Sequence, residues 1–322
     1  MDDALKGRIL ACFDGTRNAP SVTLDAMCRQ LVAEQRESWA ELEEASRSLA
    51  NTRLRDIQCA GFSIRLLYNP GRSINTLAAV APEEINARPC FLCAGNLPAE
   101  QKAVLYGDDF LILANPRPII PFHLTIAHRA HRPQSIYDCM GEFLCLTRDI
   151  GPGFMTLYNG PRCGASAPDH LHFQAVPGGH MPIEKEIGLQ DRFSVVSTAD
   201  HVRISSGHGL GREIILIEGS TPEDVCTNLR GSIDALGIDA DRHEEPMLNI
   251  IGHYDNCTFR LVVFPRRAHR PAAFYRKDAH RIMVSPAVME MGGMIVTPSE
   301  TDFNRLDAET IESIYREVSL MP

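Results

Sequence analysis

The chain has 322 residues, 44% of them hydrophobic and 23% charged, so it can bury a sizeable core and is long enough for two domains or one duplicated domain. Its formal charge of −9 argues against a protein that grips nucleic acid through a basic face, while leaving room for a small phosphorylated ligand held by a few local arginines. Ten scattered cysteines do not make the dense pattern of a secreted disulfide scaffold, the start MDDALKGRIL is unlike a secretory signal, and no run approaches the ~18 apolar residues of a membrane span. A cytoplasmic protein without a membrane partner is expected.

In chain order, residues 21–50 carry Leu24, Met27, Leu31, Leu42, Ala45 and Leu49 at roughly helical spacing among Glu, Arg and Gln, which predicts helix. Gly61–Leu67 reads as a strand ended by the turn YNPGR (68–72). RPCFLCAGN (88–96) is a compact, turn-rich knuckle, and the stretch after it alternates short apolar strands with Pro and Asn breaks. MGEFLCLTRDI (140–150) predicts a helix and GFMTLYN (153–159) a strand that leads through the loop GPRCGASAPD to HLHFQA.

Beyond Gly178–Gly179, Phe193–Val196, Val202–Ile204 and Glu213–Ile217 read as strands. STPED (220–224) opens a helix that should stop at Gly237, MLNIIGHY and CTFRLVVFP form a strand pair, and 307–319 is a final helix. RAHRP occurs at 129–133 and again at 267–271, each time behind a strand-like stretch, which suggests two related halves. The second half has no counterpart of HLHFQ or CFLC, so one half would be active and the other degenerate, with His269 a structural histidine.

Two motifs carry chemistry. A Cys-x-x-Cys pair arises by chance about 0.3 times in a chain of this composition, so Cys90 and Cys93 alone are weak evidence. Two buried thiols or a redox pair are the alternatives, but the flanking Arg-Pro and Ala-Gly-Asn favour a knuckle that aims both sulfurs at one metal, with two histidines completing a zinc tetrahedron. His170-x-His172-x-Gln174 is expected only about 0.01 times per chain. On a strand these three side chains share one face while Leu171, Phe173 and Ala175 pack behind. Two imidazoles about 6–7 Å apart suit two adjacent tasks, one as a metal ligand and one as a nucleophile towards phosphorus, or else two hydrogen-bonded strand histidines without chemistry.

CFLCAGN, RAHRP and HLHFQA, in this order, resemble the histidine-triad superfamily and specifically its transferase branch. CFLCAGN is similar to the zinc knuckle of galactose-1-phosphate uridylyltransferases, and HLHFQA to the catalytic strand of GDP-hexose phosphorylases. YNG…GASAP looks like the phosphate loop of dinucleoside polyphosphate phosphorylases (the ATP adenylyltransferase type), and SPAVMEMGGMIV (285–296) resembles a second-half segment of the GDP-hexose phosphorylases.

The resemblance implies an α+β fold of two histidine-triad-like halves, each an antiparallel sheet with flanking helices: residues 1–184 catalytic, with the zinc knuckle, and 185–322 degenerate. It implies a structural zinc on Cys90, Cys93, His131 and His170, with His128 a rival for the third place. His172 would become nucleotidylated, Gln174 would hold the transferred phosphoryl group, Asn159 and Ser166 would face the phosphates, and Arg72 would contact the diphosphate.

The implied reaction is nucleotidylyl transfer from a nucleoside diphosphate sugar or dinucleoside polyphosphate to phosphate or a sugar 1-phosphate. A homodimer is allowed by the resemblance but not required. Gln174 stands where the hydrolytic branch has a third histidine, and an amide there cannot act as a general base. Leu171 departs from the Pro of the uridylyltransferases, the loop GASAPDH is one residue longer than that of the dinucleoside polyphosphate phosphorylases, and the GDP-hexose phosphorylases generally lack the knuckle. The base and the acceptor therefore stay open. The alternatives are a hydrolase on the same scaffold, a zinc-stabilised nucleotide-binding module without turnover, and a redox role for the cysteine pair.

Overall fold

The computed structural model describes residues 5–15, 22–72, 85, 87–199, 201–237 and 245–320. Its strands, in chain order, are β1 (Ile9–Phe13), β2 (Arg53–Gln58), β3 (Ser63–Tyr68), β4 (Ala103–Tyr106), β5 (Phe110–Ala114), β6 (Leu124–His128), β7 (Phe154–Asn159) and β8 (His172–Pro177). After these come β9 (Phe193–Ala199), β10 (Val202–Gly207), β11 (Ile215–Gly219), β12 (Leu248–Asp255), β13 (Thr258–Pro265) and β14 (Met294–Thr297). Eleven of them make one sheet in the order β1-β4-β5-β6-β8-β7-β12-β13-β11-β10-β9, and β14-β3-β2 make a second, three-stranded sheet.

The large sheet contains a repeat. Strands β4, β5 and β6, the helix Met140–Ile150 and then β7 and β8 give the spatial order 4-5-6-8-7. Strands β9, β10 and β11, the helix Pro222–Ala235 and then β12 and β13 give 9-10-11-13-12, the same pattern. The two units meet where β7 and β12 pair antiparallel, Asn159 opposite Asn249 and Thr156 opposite Gly252. The two RAHRP segments are not equivalent members of this repeat. The first follows β6, the third strand of its unit, whereas the second follows β13, the fifth strand of its own. They are turns of similar composition, and the duplication resides in strand order instead.

The helix Leu24–Ser38 starts at Thr23, whose hydroxyl accepts from Ala26 N at 3.3 Å, and it buries Leu24, Cys28, Leu31 and Val32. It ends at the buried Trp39, from which a second helix, Ala40–Ser48, departs. Together with Met140–Ile150 and Pro222–Ala235 these residues cover one face of the large sheet. The small sheet and the helices Glu300–Arg305 and Ala308–Val318 contribute to the core on the other face. Pairing of β14 with β3 ties the C-terminal segment onto N-terminal strands, so the chain's two ends share a core. The helix Pro222–Ala235 stops before Gly237, whose φ of +80° suits a residue without a Cβ.

Within the first unit, Phe173 is buried among the rings of Phe110, Phe143 and Tyr158 at 5.5, 5.2 and 6.3 Å. Leu171 and Ala175 join the same core. A ring so buried contributes about 1.5–3 kcal/mol, which anchors the back of β8.

Glu245 lies under the junction of the units, where its carboxylate accepts from Ile136 N at 2.5 Å and from the Tyr158 hydroxyl at 2.9 Å. Burial pushes its pKa up from 4.5 to about 7. The folded state thus holds this proton more tightly than the unfolded chain does. The associated stability is full below 4.5 and is lost as pH rises through about 7. Glu245→Gln is expected to flatten that part of the profile, as read by urea unfolding at pH values on either side of the window. A variant profile as steep as the wild type would assign the titration to another group.

Candidate functional site

The knuckle is a pair of tight turns. Cys93 N donates to Cys90 O at 3.3 Å, Asn96 N to Cys93 O at 2.8 Å, and the Asn96 side chain returns to Cys90 O at 2.8 Å. This folding turns both thiols to one side. His170, in the turn before β8, donates from Nε2 to the carbonyl of His128 at 2.7 Å, so its Nδ1 carries the lone pair. That nitrogen lies 3.3 Å from Cys90 Sγ and 3.6 Å from Cys93 Sγ, while His131 Nδ1 lies 3.3 Å from Cys93 Sγ.

The four donor atoms all fall within 4.8 Å of one another. A tetrahedral ion with M–S near 2.3 Å and M–N near 2.0–2.1 Å requires S···N edges of about 3.5 Å, so the donor set and spacing fit a metal ion. Asp169 Oδ2, 3.8 Å from His131 Nε2, stands behind that ring as an outer partner. His128 is occupied elsewhere. Its Nδ1 accepts from Ala130 N at 3.0 Å, its ring meets Phe110 edge-on at 5.1 Å, and its carbonyl serves His170. No disulfide engages any of the cysteines that the structure describes.

Beside the cluster lies a cavity of about 610 Å³ whose wall includes Asn159, Ser166, His172 and Gln174. Of the catalytic and phosphate-facing residues expected from the sequence these four reach it, whereas His170 turns to the cluster. Arg72 ends the short 3-10 turn Pro70–Arg72, and its side chain lies outside the described residues. His172 is 3% exposed and donates from Nδ1 to His170 O at 2.8 Å, which leaves the lone pair on Nε2. Burial lowers its pKa from 6.5 to about 4, so the ring is neutral near pH 7.

The side chain of Gln134 clamps the backbone of His172 from both sides. Its Oε1 accepts from His172 N at 2.8 Å, and its Nε2 donates to His172 O at 3.0 Å and to Asn159 O at 2.9 Å. The Asn159 Oδ1 accepts from Asn249 and from Val288 N, both at 2.8 Å, tying β7 to the C-terminal segment. In the loop between β7 and β8, Gly164 has φ +98°, and a Cβ there would meet Ala287 Cβ at 2.6 Å. That loop therefore needs glycine to lie against the C-terminal segment.

Sequence reasoning missed Gln134 and His123. Ile119 N donates to His123 Nδ1 at 3.2 Å, so its Nε2 bears the proton and donates to Gln174 Oε1 at 3.0 Å. That bond engages the Gln174 oxygen and leaves its NH₂ group as the donor end of the amide. The signal lies in FHLTIAH, where alternation on a strand puts His123 and His128 on opposite faces. Two more cavity residues, His269 and Arg270, come from the second RAHRP, so His269 borders the cavity rather than a remote core.

A His-x-His-x-Gln strand lies beside a Cys₂His₂ cluster on a duplicated antiparallel sheet with flanking helices, an α+β fold shared with solved phosphorylase structures. Residues 248–321 match the family described as "GDPGP1-like, C-terminal domain", and residues 31–177 match "Domain of unknown function (DUF4922)". The structure is similar to yeast Ap4A phosphorylase Apa2, with 11% identity and a TM-score of 0.65 over 91% of this chain and 97% of that one. Apa2 in complex with Ap4A matches at 12% identity and a TM-score of 0.60, covering 92% and 98%. Apa2 in complex with AMP matches at 13% identity and a TM-score of 0.56, covering 90% and 97%. No curated protein sequence matches the chain. Among the described residues, no helix is long and apolar enough to cross a membrane.

Proposed function

We propose that the protein is a nucleotidylyltransferase of the phosphorylase type, acting through a nucleotidyl group carried on His172. The observation that carries this reading is the state of that ring: buried, neutral, tethered at Nδ1 and lining a cavity with the Gln174 amide. The donor is a nucleoside diphosphate sugar or a dinucleoside polyphosphate, and the acceptor is phosphate or a sugar 1-phosphate. The fold shared with Ap4A phosphorylase, whose complexes contain AMP and Ap4A, supports a nucleotide ligand.

In the first step the Nε2 lone pair forms a bond to the α-phosphorus, and the bond to the leaving phosphate oxygen breaks with its electron pair. The ring keeps its Nδ1–H, and the His170 carbonyl that accepts from it steadies the positive charge on the imidazole. In the second step an acceptor phosphate oxygen attacks and the pair returns to Nε2. One hard displacement becomes two easier ones. The Gln174 amide, and Asn159 and Ser166 at the loop, meet the charge on the non-bridging oxygens. Residues 1–184 supply the reacting groups, and 185–322 close the cavity. Zinc is the metal that suits Cys90, Cys93, His131 and His170. With all four places filled by protein it would hold His170, and so the start of β8, and would not activate water.

Incubation with nucleotide sugars and dinucleoside polyphosphates, with and without phosphate, followed by product identification by mass, tests the reading. Products that appear only with an added acceptor support transfer. Hydrolysis without one would make the protein a hydrolase, and tight binding without turnover would make it a binding module. Gln174→Ala is expected to slow transfer by about 2.7–4 kcal/mol, the usual loss for an oxyanion donor. His123→Phe, which frees the amide to rotate, should lower kcat more than it raises KM, with metal content unchanged. Wild-type kcat in that variant would remove His123 from the machinery.

A further inference from the structure

The cavity has a second polar wall that the chemistry above does not use. It is built after β13 by His269 and Arg270, and by Ser285 in the segment leading to the short helix Val288–Met291. Arg270 Nε donates to Ser285 Oγ at 2.8 Å, and the guanidinium lies over the ring of Phe274 at 4.3 Å. Ser285 Oγ in turn lies 3.5 Å from His269 Nε2.

Behind this wall Arg266 is only 3% exposed. It donates to Asn249 Oδ1 at 2.5 Å and to the carbonyls of Val318, Ala268, His269 and Pro286 at 3.0 to 3.2 Å. Every one of these acceptors is neutral. Burial, and then the charges of Arg270 and Arg266, push His269 down to about 3, so an uncharged imidazole stands beside the Arg270 cation in the wall and the Arg266 cation behind it, while the Glu290 carboxyl, also in the lining, accepts from Ala287 N at 2.9 Å. Guanidinium held in this way, at the edge of a cavity with low-dielectric walls, favours an anion, and its planar fork matches phosphate oxygens.

We propose that His269, Arg270 and Ser285 form the subsite for a phosphate dianion, which is the leaving phosphate of the donor in the first step and the attacking phosphate in the second. The proposal rests on the transfer reading above. Attacking and leaving oxygens of the two steps occupy the same in-line place, so one subsite serves both. There, a phosphate oxygen forms the new P–O bond to the α-phosphorus while the P–Nε2 bond breaks and its pair returns to His172. The second unit, lacking a His-x-His strand of its own, is thereby part of the reaction centre. Asn159 and Gly164 hold this wall against the first unit.

The test follows discharge of the labelled protein. Nucleotidylated enzyme, formed from donor without acceptor, is titrated with inorganic phosphate and separately with a hexose 1-phosphate; the one that discharges it identifies the source of the dianion. Arg270→Gln is expected to raise the half-saturating concentration about 10- to 100-fold, the loss of a charge-assisted hydrogen-bond pair, and Arg270→Lys to recover part of it. Metal content should not change. Should Arg270→Gln fail to fold, Ser285→Ala, which removes the subsite hydroxyl and the Arg270 Nε contact, is expected to shift the same curve in the same direction. Wild-type acceptor dependence in these variants overturns the subsite.

If the wild-type protein takes no label, the transfer reading fails. The subsite is then judged by calorimetric titration with inorganic phosphate, where equal affinity in wild type and Arg270→Gln, or no binding to either, overturns it.

Discussion

His172→Ala is expected to abolish covalent labelling and to reduce turnover by several orders of magnitude, with metal content and fold unchanged. Three contacts hold the residue: Nδ1 to the His170 carbonyl, and the distant Gln134 side chain on the His172 N–H and C=O. Only the Nδ1 contact involves the side chain that the substitution removes. Behind it, Phe173 keeps its place between Phe110 and Phe143, so the strand persists. What disappears is the nitrogen that would take the α-phosphorus. Wild-type enzyme mixed with donor and no acceptor should carry a nucleoside monophosphate through an acid-labile N–P bond, with ping-pong kinetics. Mass measurement of the intact protein and its peptides checks both statements. Normal turnover in His172→Ala would end the nucleophile assignment and return the strand to a structural role.

The second large effect concerns the metal. Removing the proposed zinc by chelation, or replacing Cys90 by serine, should lower the melting temperature sharply and abolish labelling together. The cluster joins the knuckle, the turn after β6 and the turn before β8, which are distant in sequence. Structural zinc contributes about 10–16 kcal/mol of apparent binding free energy in small peptides, and part of this becomes folding free energy when no site exists in the unfolded chain. Without the ion, two thiols and two imidazoles are left facing one another, and His170 loses what aligns the start of β8. His131→Ala should release the metal and His128→Ala should retain it, because His128 Nδ1 accepts from Ala130 N. Metal analysis alongside calorimetry reads this out. A metal-free preparation with the same melting temperature and turnover would refute it.

The knuckle, the His-x-His-x-Gln strand and most helices were legible because each depends on spacing along a short stretch. Alternation on a strand necessarily sends Leu171, Phe173 and Ala175 to the core and His172 and Gln174 to the opposite side, and the structure has them so. The helix 140–150 was equally plain, since its Phe143, Leu144 and Thr147 follow one buried stripe. Strand β1 escaped notice: five residues at the sheet's end, alternately exposed, carry little periodic signal. The repeated RAHRP misled for a related reason, because five residues of turn composition say nothing about which strand they follow.

What the sequence determined by itself was therefore the local chemistry: which side chains a strand or a tight turn presents together. Tertiary structure alone decided which distant groups meet them. It brought His131 rather than His128 to the thiols, set His123 behind Gln174, and placed Gln134 on the backbone of His172. It also carried Arg270 and Ser285 into the cavity from a unit that lacks a His-x-His strand. These meetings depend on the crossing of β8 between β6 and β7 and on the pairing of β7 with β12. Such long-range registers are set by the packing of whole sheets, so no short stretch of the chain records them.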